Sequence, residues 1–584
     1  MAPKRPLKRR GEEDDRRQSK KPGKNKREIT YDTYDEALDG GVEMEEKGER
    51  YKDGDKSQRF YERAVELYEK ALGFQETYDA AYNQARVLYT LSTSFLLPPS
   101  CLKPLRRSIE LYRSATSLTN SPLLRMDVAF NLSQSCSSLA DILEDLDGDG
   151  NLEEVRKLRI EARDVLQEVM DGQEEYLRAT SDENDADETG NVVDEIEDRA
   201  EAAATGESMD VDPDDDNEDG VEGEVGEEGT FETHLPTPST YIDTVITLID
   251  IHLSLWTSTA EPQTPIEEDQ LAVRSILDRA AVFAPPGRQA ELDLAEVKVL
   301  LSMDSIIWDI YKSQAQPNMG LEKSLEGAIA ALTAILTSLD VTPPEEATVK
   351  PEILTTLADT HIVIANRMIF LNKHYPPGPS PLAQQAWYHL SSATTHLNTA
   401  LELPTSAFTP REFRPSVLLS LSKASLSRAR LSSVHETAKR NVVQLMDNAN
   451  TYAARAGEGL GWKFMRFEGS VPTSTGLTLS IGGGTNGKDE LPWQAGWESE
   501  LLARNTALQQ VRNCIYAAKT ELLPQEDRTK YLAGLKKVLD KLKVQQGERA
   551  LGSKDVERFL LEVEDDEGAV NELEKGWWKE IFAA

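Results

Sequence analysis

An apolar stripe with helical spacing recurs along this chain from about residue 41 to near its end. In the segment RFYERAVELYEKAL, Tyr61, Ala64, Val65, Tyr68 and Ala71 lie three or four positions apart, which places them on one face of a helix. Prolines and glycines separate such segments, and alternating strand patterns are scarce. Proline lacks a backbone donor and belongs between helices. The pattern predicts an all-α fold of paired helices with short connectors.

The helical pairs share a small–aromatic–small pattern. Its occurrences are Ala64, Tyr68 and Ala71; Ser108, Tyr112 and Ala115; and, more loosely, Ala162, Leu166 and Val169. These repeats resemble tetratricopeptide (TPR) units, in which helices approach closely at small residues. The spacing is 44 and then 54 residues against about 34 in that family, so connectors such as SFLLPPSCLK are expected to be insertions. The resemblance implies a TPR-like α-solenoid of helical hairpins, and a generic α-solenoid is the alternative.

A strongly acidic segment interrupts the helical pattern. Residues 181–230 hold 22 Asp and Glu against one basic residue, Arg199, and so carry −21 of the total charge of −37. The surrounding stretch has too few large apolar residues to offset the entropy of ordering. We therefore predict a disordered acidic loop within the solenoid.

The composition shifts divide the chain into six segments. They are a basic disordered tail at 1–34, TPR-like repeats at 35–175, the acidic loop at 176–236, continued helical repeats at 237–466, a glycine-rich loop at 467–492 and C-terminal helices at 493–584. No run of 18 apolar residues occurs, so no membrane association is expected. The three cysteines are far apart, which favours a reduced intracellular setting.

Two stretches resemble ligand-binding loops without completing them. DLDGDGNLEEVR matches an EF-hand loop until position 12, where Arg156 replaces the bidentate Glu. GGGTNGKD has the lysine of a phosphate-binding loop, Lys488, but Asp489 replaces the Ser or Thr that would hold magnesium. We predict a structural turn at the first stretch and a flexible loop at the second, with no metal or cofactor.

The chain shows no recognisable active site. His389 and His396 lie seven positions apart and could share a helix face, but the sequence indicates no third ligand at metal spacing. No G-x-S-x-G motif occurs, and the cysteines have no evident histidine partner. The sequence therefore predicts a protein that is not an enzyme.

The N-terminal tail contains two basic clusters about ten residues apart. They comprise Lys4, Arg5, Lys8, Arg9 and Arg10, followed by Lys20, Lys21, Lys24, Lys26 and Arg27. They resemble a bipartite nuclear-import signal, which implies an importin partner and a nuclear location, with shuttling to the cytoplasm as an extension. A basic tail that touches RNA or folds back on the acidic loop is the alternative, although the charge of −37 disfavours direct nucleic-acid binding.

The acidic residues point to a cationic protein partner. The tract DVDPDDDNEDGVEGEVGEE resembles those of histone chaperones and ribosomal-protein escorts. In TPR domains that hold carboxylate tails, the equivalent positions here would be Glu45, Glu49, Gln84, Val128 and Leu132, so acids stand where an anion would bind. The predicted contacts to a basic client are Glu45, Glu49, Asp212, Asp214, Asp215, Asp216, Glu218 and Asp219.

The sequence thus predicts a non-enzymatic nuclear chaperone or adaptor that binds a histone or ribosomal protein. Histone chaperones of the nuclear autoantigenic sperm protein type, chaperones dedicated to single ribosomal proteins and fungal enhancers of translation termination have a similar organisation, and no motif selects among them. The alternative is a scaffold subunit of a nuclear complex in transcription, RNA processing, ribosome assembly or translation termination. In that case the acidic loop is only a spacer.

Overall fold

A computed structural model describes most of the chain. The described ranges are 31–52, 54–186, 235–314, 322–339, 348–372, 381–404, 410–461, 496–521, 523–542, 550–567 and 572–582. All regular secondary structure in these ranges is helical, which confirms the predicted all-α class. No helix in the same ranges combines the length and the apolar character needed to cross a bilayer.

Seventeen α-helices and two short 3-10 turns lie in the described ranges. The helices are α1 (Tyr34–Tyr51), α2 (Gly54–Phe74), α3 (Tyr78–Ser94), α4 (Leu102–Leu118), α5 (Pro122–Ala186), α6 (Pro238–Thr257), α7 (Glu267–Phe283), α8 (Gln289–Gln314), α9 (Glu322–Leu339), α10 (Lys350–Asn372), α11 (Pro381–Glu402), α12 (Phe413–Arg430), α13 (Glu436–Gly459), α14 (Trp497–Lys519), α15 (Gln525–Leu542), α16 (Ser553–Glu567) and α17 (Glu572–Phe582). The 3-10 turns are Pro286–Arg288 and Leu431–Ser433.

Each helix from α1 to α14 packs against the next one along the chain. Several alternate helices also touch: α3 contacts α5, α6 contacts α8, and α12 contacts both α10 and α14. Contacts to the next helix and to the next but one are those of stacked helical hairpins. The fold is a TPR-like solenoid of hairpins, as the repeats predict.

The small–aromatic–small pattern has a direct steric cause. A Cβ added at Gly41 in α1 would lie 2.5 Å from the Tyr68 ring of α2, and one at Gly48 would lie 2.9 Å from the Tyr61 ring. Ala64 and Ala71, on either side of Tyr68, are completely buried. The two helices can approach this closely because α1 has a glycine, with no side chain, at each position that faces an aromatic ring of α2.

The connector between α3 and α4, which the repeat spacing predicts to be an insertion, belongs to the core. Phe95, Leu97 and Cys101 are all buried, and Leu97 and Cys101 join the same apolar cluster as Leu105 of α4. The extra residues therefore add apolar contacts rather than a solvent-exposed loop.

Helix α5 corrects one predicted boundary. It consists of two helices that meet at Asp147, where φ is −165° and ψ is 82°, and the second of them continues to Ala186. The acidic loop was expected to begin at residue 176, but residues 176–186 still belong to this helix, and Leu177 packs in the main apolar cluster. Residues 187–234, like the tail at 1–30 and the glycine-rich segment at 462–495, lie outside the described residues.

Helix α14 occupies the middle of the C-terminal half although its sequence is polar. It contacts α3, α12, α13, α15 and α16, so it links the first hairpins to the last helices. Gln509, Gln510 and Asn513 are completely buried on it. Trp578 of α17 is also buried, against Phe559 of α16.

Candidate functional site

The two glutamates predicted to contact a client lie in different surroundings. Glu45 is buried, pairs with Arg86 at 2.7 Å and accepts a hydrogen bond of 2.9 Å from the Tyr68 hydroxyl. Burial raises the pKa of Glu45, and Arg86 and Tyr68 offset part of this effect. Its carboxylate therefore stabilises the first hairpins and is not presented to a partner. Glu49 is exposed, and its client contact stays a prediction.

The remaining predicted client contacts fall outside the described residues. These are Asp212, Asp214, Asp215, Asp216, Glu218 and Asp219. The ten basic residues of the import signal and Lys488 of the glycine-rich loop also lie outside them. Predictions for all of these residues stay predictions.

The EF-hand-like stretch forms a structural joint. The Asp145 carboxylate accepts a 2.8 Å hydrogen bond from the Trp497 indole of α14, and Asp147 accepts one of 3.1 Å from the Gly150 amide. Arg156, at loop position 12, donates to the Ser258 carbonyl at 2.8 Å. Acids and base alike therefore bind groups of the same chain, which supports the interpretation as a turn.

A third histidine joins the two that share a face of α11. His361 of α10 lies 2.8 Å from His389, measured between the Nδ1 atoms, and its ring stacks on His396 with 5.7 Å between centroids. Burial lowers the pKa of His361 to about 4, and the other two rings add to the shift. No cluster with metal-binding geometry occurs within the described ranges. Sequence reasoning missed His361 because it lies 28 residues before His389.

Buried charges at the C-terminal end are neutralised within the chain. Arg512 of α14 bonds Glu567 at 2.7 and 2.8 Å and Glu574 at 2.8 Å. Burial alone raises the pKa of Glu567, but Arg512 and Arg430 outweigh it and hold that pKa far below its usual range. This network fixes α16 and α17 to α14, and its carboxylates are not available to a partner.

The described surface contains a different kind of acidic site, a groove between α7 and α8, which we call the α7–α8 groove. Its volume is about 450 Å³. It is lined by Trp256, Glu267, Gln270, Leu271, Val273, Arg274, Leu277, Asp278, Ala281, Gln289, Leu292, Asp293, Glu296, Val299, Leu300 and Met303. Except for Trp256, which comes from the end of α6, all of these residues belong to α7 and α8.

The floor of the groove is apolar and its edges expose leucines. Val273 and Leu292 are buried, whereas Leu271 of α7 is 55% exposed and Leu300 of α8 is 50% exposed. Ile307, 41% exposed, follows Leu300 by seven residues, or about two helical turns. Leu271 and Leu300 therefore leave apolar surface exposed to solvent on both sides of the cleft.

The rim of the groove is acidic. Glu267, Asp278, Asp293 and Glu296 line it together with one basic residue, Arg274. Asp293 accepts a 2.9 Å hydrogen bond from Gln289, but none of the four acids belongs to an ion pair between described residues. In this respect they differ from Glu45 and Glu567, which their own arginines neutralise. Their charge is directed at solvent or at a cationic partner.

Trp256 supplies a buried donor beside this groove. Its side chain is buried, and within the described residues the indole Nε1 has no hydrogen-bond acceptor. An indole N–H can only donate, and it usually finds a partner when it is buried. The spacing of apolar residues in the sequence does not predict this groove, because the groove depends on how α7 and α8 pack against each other.

Comparison with known proteins yields structural similarity at a low level. No protein-family model matches the sequence, and no curated protein matches it either. The chain is similar to the nuclear import adaptor Nro1 of S. pombe, at 12% identity over 74% of this chain and 95% of that one, with a TM-score of 0.24.

Two further solved structures are similar over more of the chain. One is a signal-transduction ATPase with a tetratricopeptide repeat sensor from Pyrococcus horikoshii, with 10% identity, 94% of this chain and 74% of that one covered, and a TM-score of 0.19. The other is Naa15/Naa10 bound to HypK, with 12% identity, 91% and 77% covered, and a TM-score of 0.16. At these scores none of the similarities carries an argument about this chain's partners or activity.

Proposed function

We propose that this chain is a non-enzymatic nuclear adaptor or chaperone that binds a basic protein client, such as a histone or a ribosomal protein. The observation that carries the proposal is the difference between its acids. Carboxylates in the core are neutralised by arginines of the chain, whereas the four acids around the α7–α8 groove have no basic partner among the described residues. Unpaired surface acids around apolar side chains favour a cationic, partly apolar ligand.

The acidic segment adds long-range attraction in this proposal. Its charge of −21 between residues 181 and 230 raises the local concentration of a positively charged protein at low ionic strength. Asp212, Asp214, Asp215, Asp216, Glu218 and Asp219 form its densest part. The attraction weakens steeply as salt is added, because the screening length falls from about 10 Å at 0.1 M to about 3 Å at 1 M.

The test is binding to purified core histones, to a basic ribosomal protein and to a neutral protein of similar size, each at low and at high salt. We expect tight binding to the basic proteins at low salt, and weak binding once every Asp and Glu in 181–230 is replaced by Asn or Gln. A segment of equal length made of Gly and Ser serves as a second control. Equal affinity for basic and neutral proteins would contradict the proposal.

A scaffold subunit of a nuclear complex is the second candidate. The bond between Asp145 and Trp497 joins α5 to α14, and this closure of the array favours a rigid platform. A scaffold would retain its partners after the acids in 181–230 are neutralised, whereas a chaperone of a basic client would lose them. Affinity purification of the tagged protein with and without this change therefore separates the two candidates.

Nuclear import through an importin is part of the same proposal. It rests on the two basic clusters between Lys4 and Arg27. A fluorescent fusion in which these ten residues are alanine is expected to lose nuclear enrichment, while a fusion in which only the linker residues between the clusters are changed keeps it. Nuclear enrichment that survives the alanine changes would remove this part of the proposal.

A further inference from the structure

We propose that the α7–α8 groove binds one amphipathic helix of the client, with an apolar stripe facing the groove and Lys or Arg on both flanks. The inference rests on the proposed function, since it specifies how a basic client is held. It also predicts something that charge alone does not: the client must offer a helix with a defined apolar face.

The length of the groove matches that of a short helix. Its lining extends from Glu267 to Ala281 on α7 and from Gln289 to Met303 on α8, fourteen residue steps on each helix. At 1.5 Å per residue this is about 21 Å, or roughly four turns of a partner helix. Both helices contribute lining residues along this length, so a third helix can lie between them.

The apolar side chains of the groove match the stripe of such a helix. Leu277 and Leu292 form part of the floor, and Leu271 and Leu300 are half exposed along the edges. A helix that presents apolar residues at positions i, i+3, i+4 and i+7 would cover all four. A helix satisfies its own backbone hydrogen bonds, so it can enter an apolar groove that has no strand edge to pair with.

The charges of the groove select the flanks of the ligand. Glu267 and Asp278 lie on α7 and Asp293 and Glu296 lie on α8, so acids border the apolar floor on both sides. Arg274 is the single basic residue of the lining. A helix with Lys or Arg beside its apolar stripe meets acids on either edge, whereas one with Glu flanks is repelled.

The chain's own basic tail is a poorer occupant. Residues 1–30 contain Pro3, Pro6 and Pro22, each of which is unfavourable inside a helix. They contain few large apolar residues to form a stripe. A partner helix therefore fits the groove better, and the test below includes removal of the tail.

The probe is a labelled peptide helix of about 18 residues, with leucines on one face, lysines on both flanks and neutral residues elsewhere. Binding to the full chain is measured by fluorescence anisotropy. Two peptides serve as controls: a scrambled sequence of the same composition, and the same helix with glutamates on the flanks. We expect the lysine-flanked helix to bind at least about tenfold more tightly than either control.

Variants of the chain locate the site. Leu271→Ser and Leu300→Ser each remove an exposed apolar contact and are expected to weaken binding by roughly tenfold. Leu532→Ser on α15, where the leucine is 53% exposed, is the matched control and should leave the affinity within about twofold. The double variant Asp278→Lys and Glu296→Lys is expected to reverse the preference for lysine flanks.

A second charge control separates local from overall effects. Glu526→Lys with Asp540→Lys on α15 makes the same change in net charge at exposed positions far along the chain. It should leave the preference for lysine flanks unchanged. If this pair weakens binding as much as the groove pair does, the helix is held by net charge alone and the inference is wrong.

The outcomes distinguish this inference from the proposed function. If histones bind in a salt-dependent way but the groove variants bind them and the peptide as the wild-type chain does, the function stands and the groove assignment falls. If no basic protein binds, the function itself is wrong. A tenfold gain in peptide affinity after deletion of residues 1–30 would show that the tail occupies the groove, and this too would overturn the inference.

Discussion

Replacing Gly41 by alanine tests the close packing that defines the first hairpin. The added Cβ would lie 2.5 Å from Cε1 of the Tyr68 ring and 2.7 Å from Cδ1, whereas carbon atoms in good contact lie about 3.5–4.0 Å apart. The ring has little freedom to move, because it is completely buried and its hydroxyl donates to Glu45. Relief therefore requires α1 and α2 to separate by about 1 Å, and overpacking of this kind costs about 1–3 kcal/mol.

The magnitude is obtained by comparison with Gly327→Ala in α9. Gly327 is also inside a helix, but its added Cβ would have no heavy atom within 4 Å. Both changes gain the helix propensity of alanine, about 0.8–1.0 kcal/mol. The difference between their effects on the free energy of unfolding is then the steric cost alone. We expect Gly327→Ala to stabilise the chain and Gly41→Ala to be less stable than it by about 1–3 kcal/mol.

The assay must report on one hairpin, because stacked repeats need not unfold in a single step. Amide hydrogen exchange followed by mass spectrometry gives this local information. Peptides from residues 34–74 should exchange faster in Gly41→Ala, and peptides from 322–339 should exchange more slowly in Gly327→Ala. Equal stabilisation of both helices would refute the close approach of α1 and α2. A second change, Tyr68→Leu, should recover part of the loss if the ring is the cause.

Three further changes test other parts of the structure. Trp497→Phe removes the donor to Asp145 and should cost about 1–3 kcal/mol of unfolding free energy, seen as faster exchange near residues 141–147. Lowering the pH from 6.5 towards 4 should remove the stability that neutral His361 contributes, because its pKa is about 4 when folded and about 6.5 when unfolded, so protons bind this group better in the unfolded chain. Relative to wild type, His361→Gln should lose up to about 3 kcal/mol less free energy of unfolding over this pH interval, measured by denaturant unfolding at each pH. Arg512→Met removes one of the arginines that neutralise Glu567 and should lower the free energy of unfolding by about 3–5 kcal/mol. Amide hydrogens in residues 553–582 should then exchange faster. Unchanged exchange there would contradict the proposed role of the ion pairs of Arg512 in holding α16 and α17.

Much of the helical architecture can be predicted from the sequence because its cause is local. Ala64, Tyr68 and Ala71 fall on one face by their spacing alone, and all three are buried. The same holds for Ala393, Leu397 and Ala400, which are buried on α11. In both places a period of three to four residues is enough to identify the buried face.

The rest depends on contacts between residues far apart in the chain. Helix α14 is surrounded by other helices. From the sequence alone, its polar residues Arg504, Gln509 and Arg512 would be predicted to face solvent, but they are buried. Arg504 and Arg512 can be buried because Asp555 of α16 and Glu574 of α17 pair with them, and Gln509 donates to Asn513 of its own helix. Likewise Glu45 has the sequence context of a surface acid, and only the packing of α3 against α2 brings Arg86 to it.

The α7–α8 groove could not be predicted from the sequence for a related reason. Each of its helices alone has an ordinary pattern, and Leu271 or Leu300 would be assigned to a hairpin interface. The structure leaves them half exposed on the two sides of a cleft between α7 and α8. Whether two amphipathic helices close on each other is set by the neighbours that hold them, here α6 and α9, and not by the helices themselves.

The different roles proposed for the acidic segment and for the α7–α8 groove follow from the distances over which charge–charge and apolar interactions act. Charges in 181–230 act over about a screening length and do not depend on orientation, so they suit the capture of any basic protein. The apolar contacts of Leu271 and Leu300 act only on touching and require one orientation, so they suit the selection of a particular helix. A protein with only the acidic segment would bind basic proteins without selectivity. A protein with only the apolar groove would bind its client slowly, because nucleic acid also attracts a basic client through its phosphates and competes for it. In the proposed function the acidic segment captures the client and the groove selects it, so each compensates for what the other lacks.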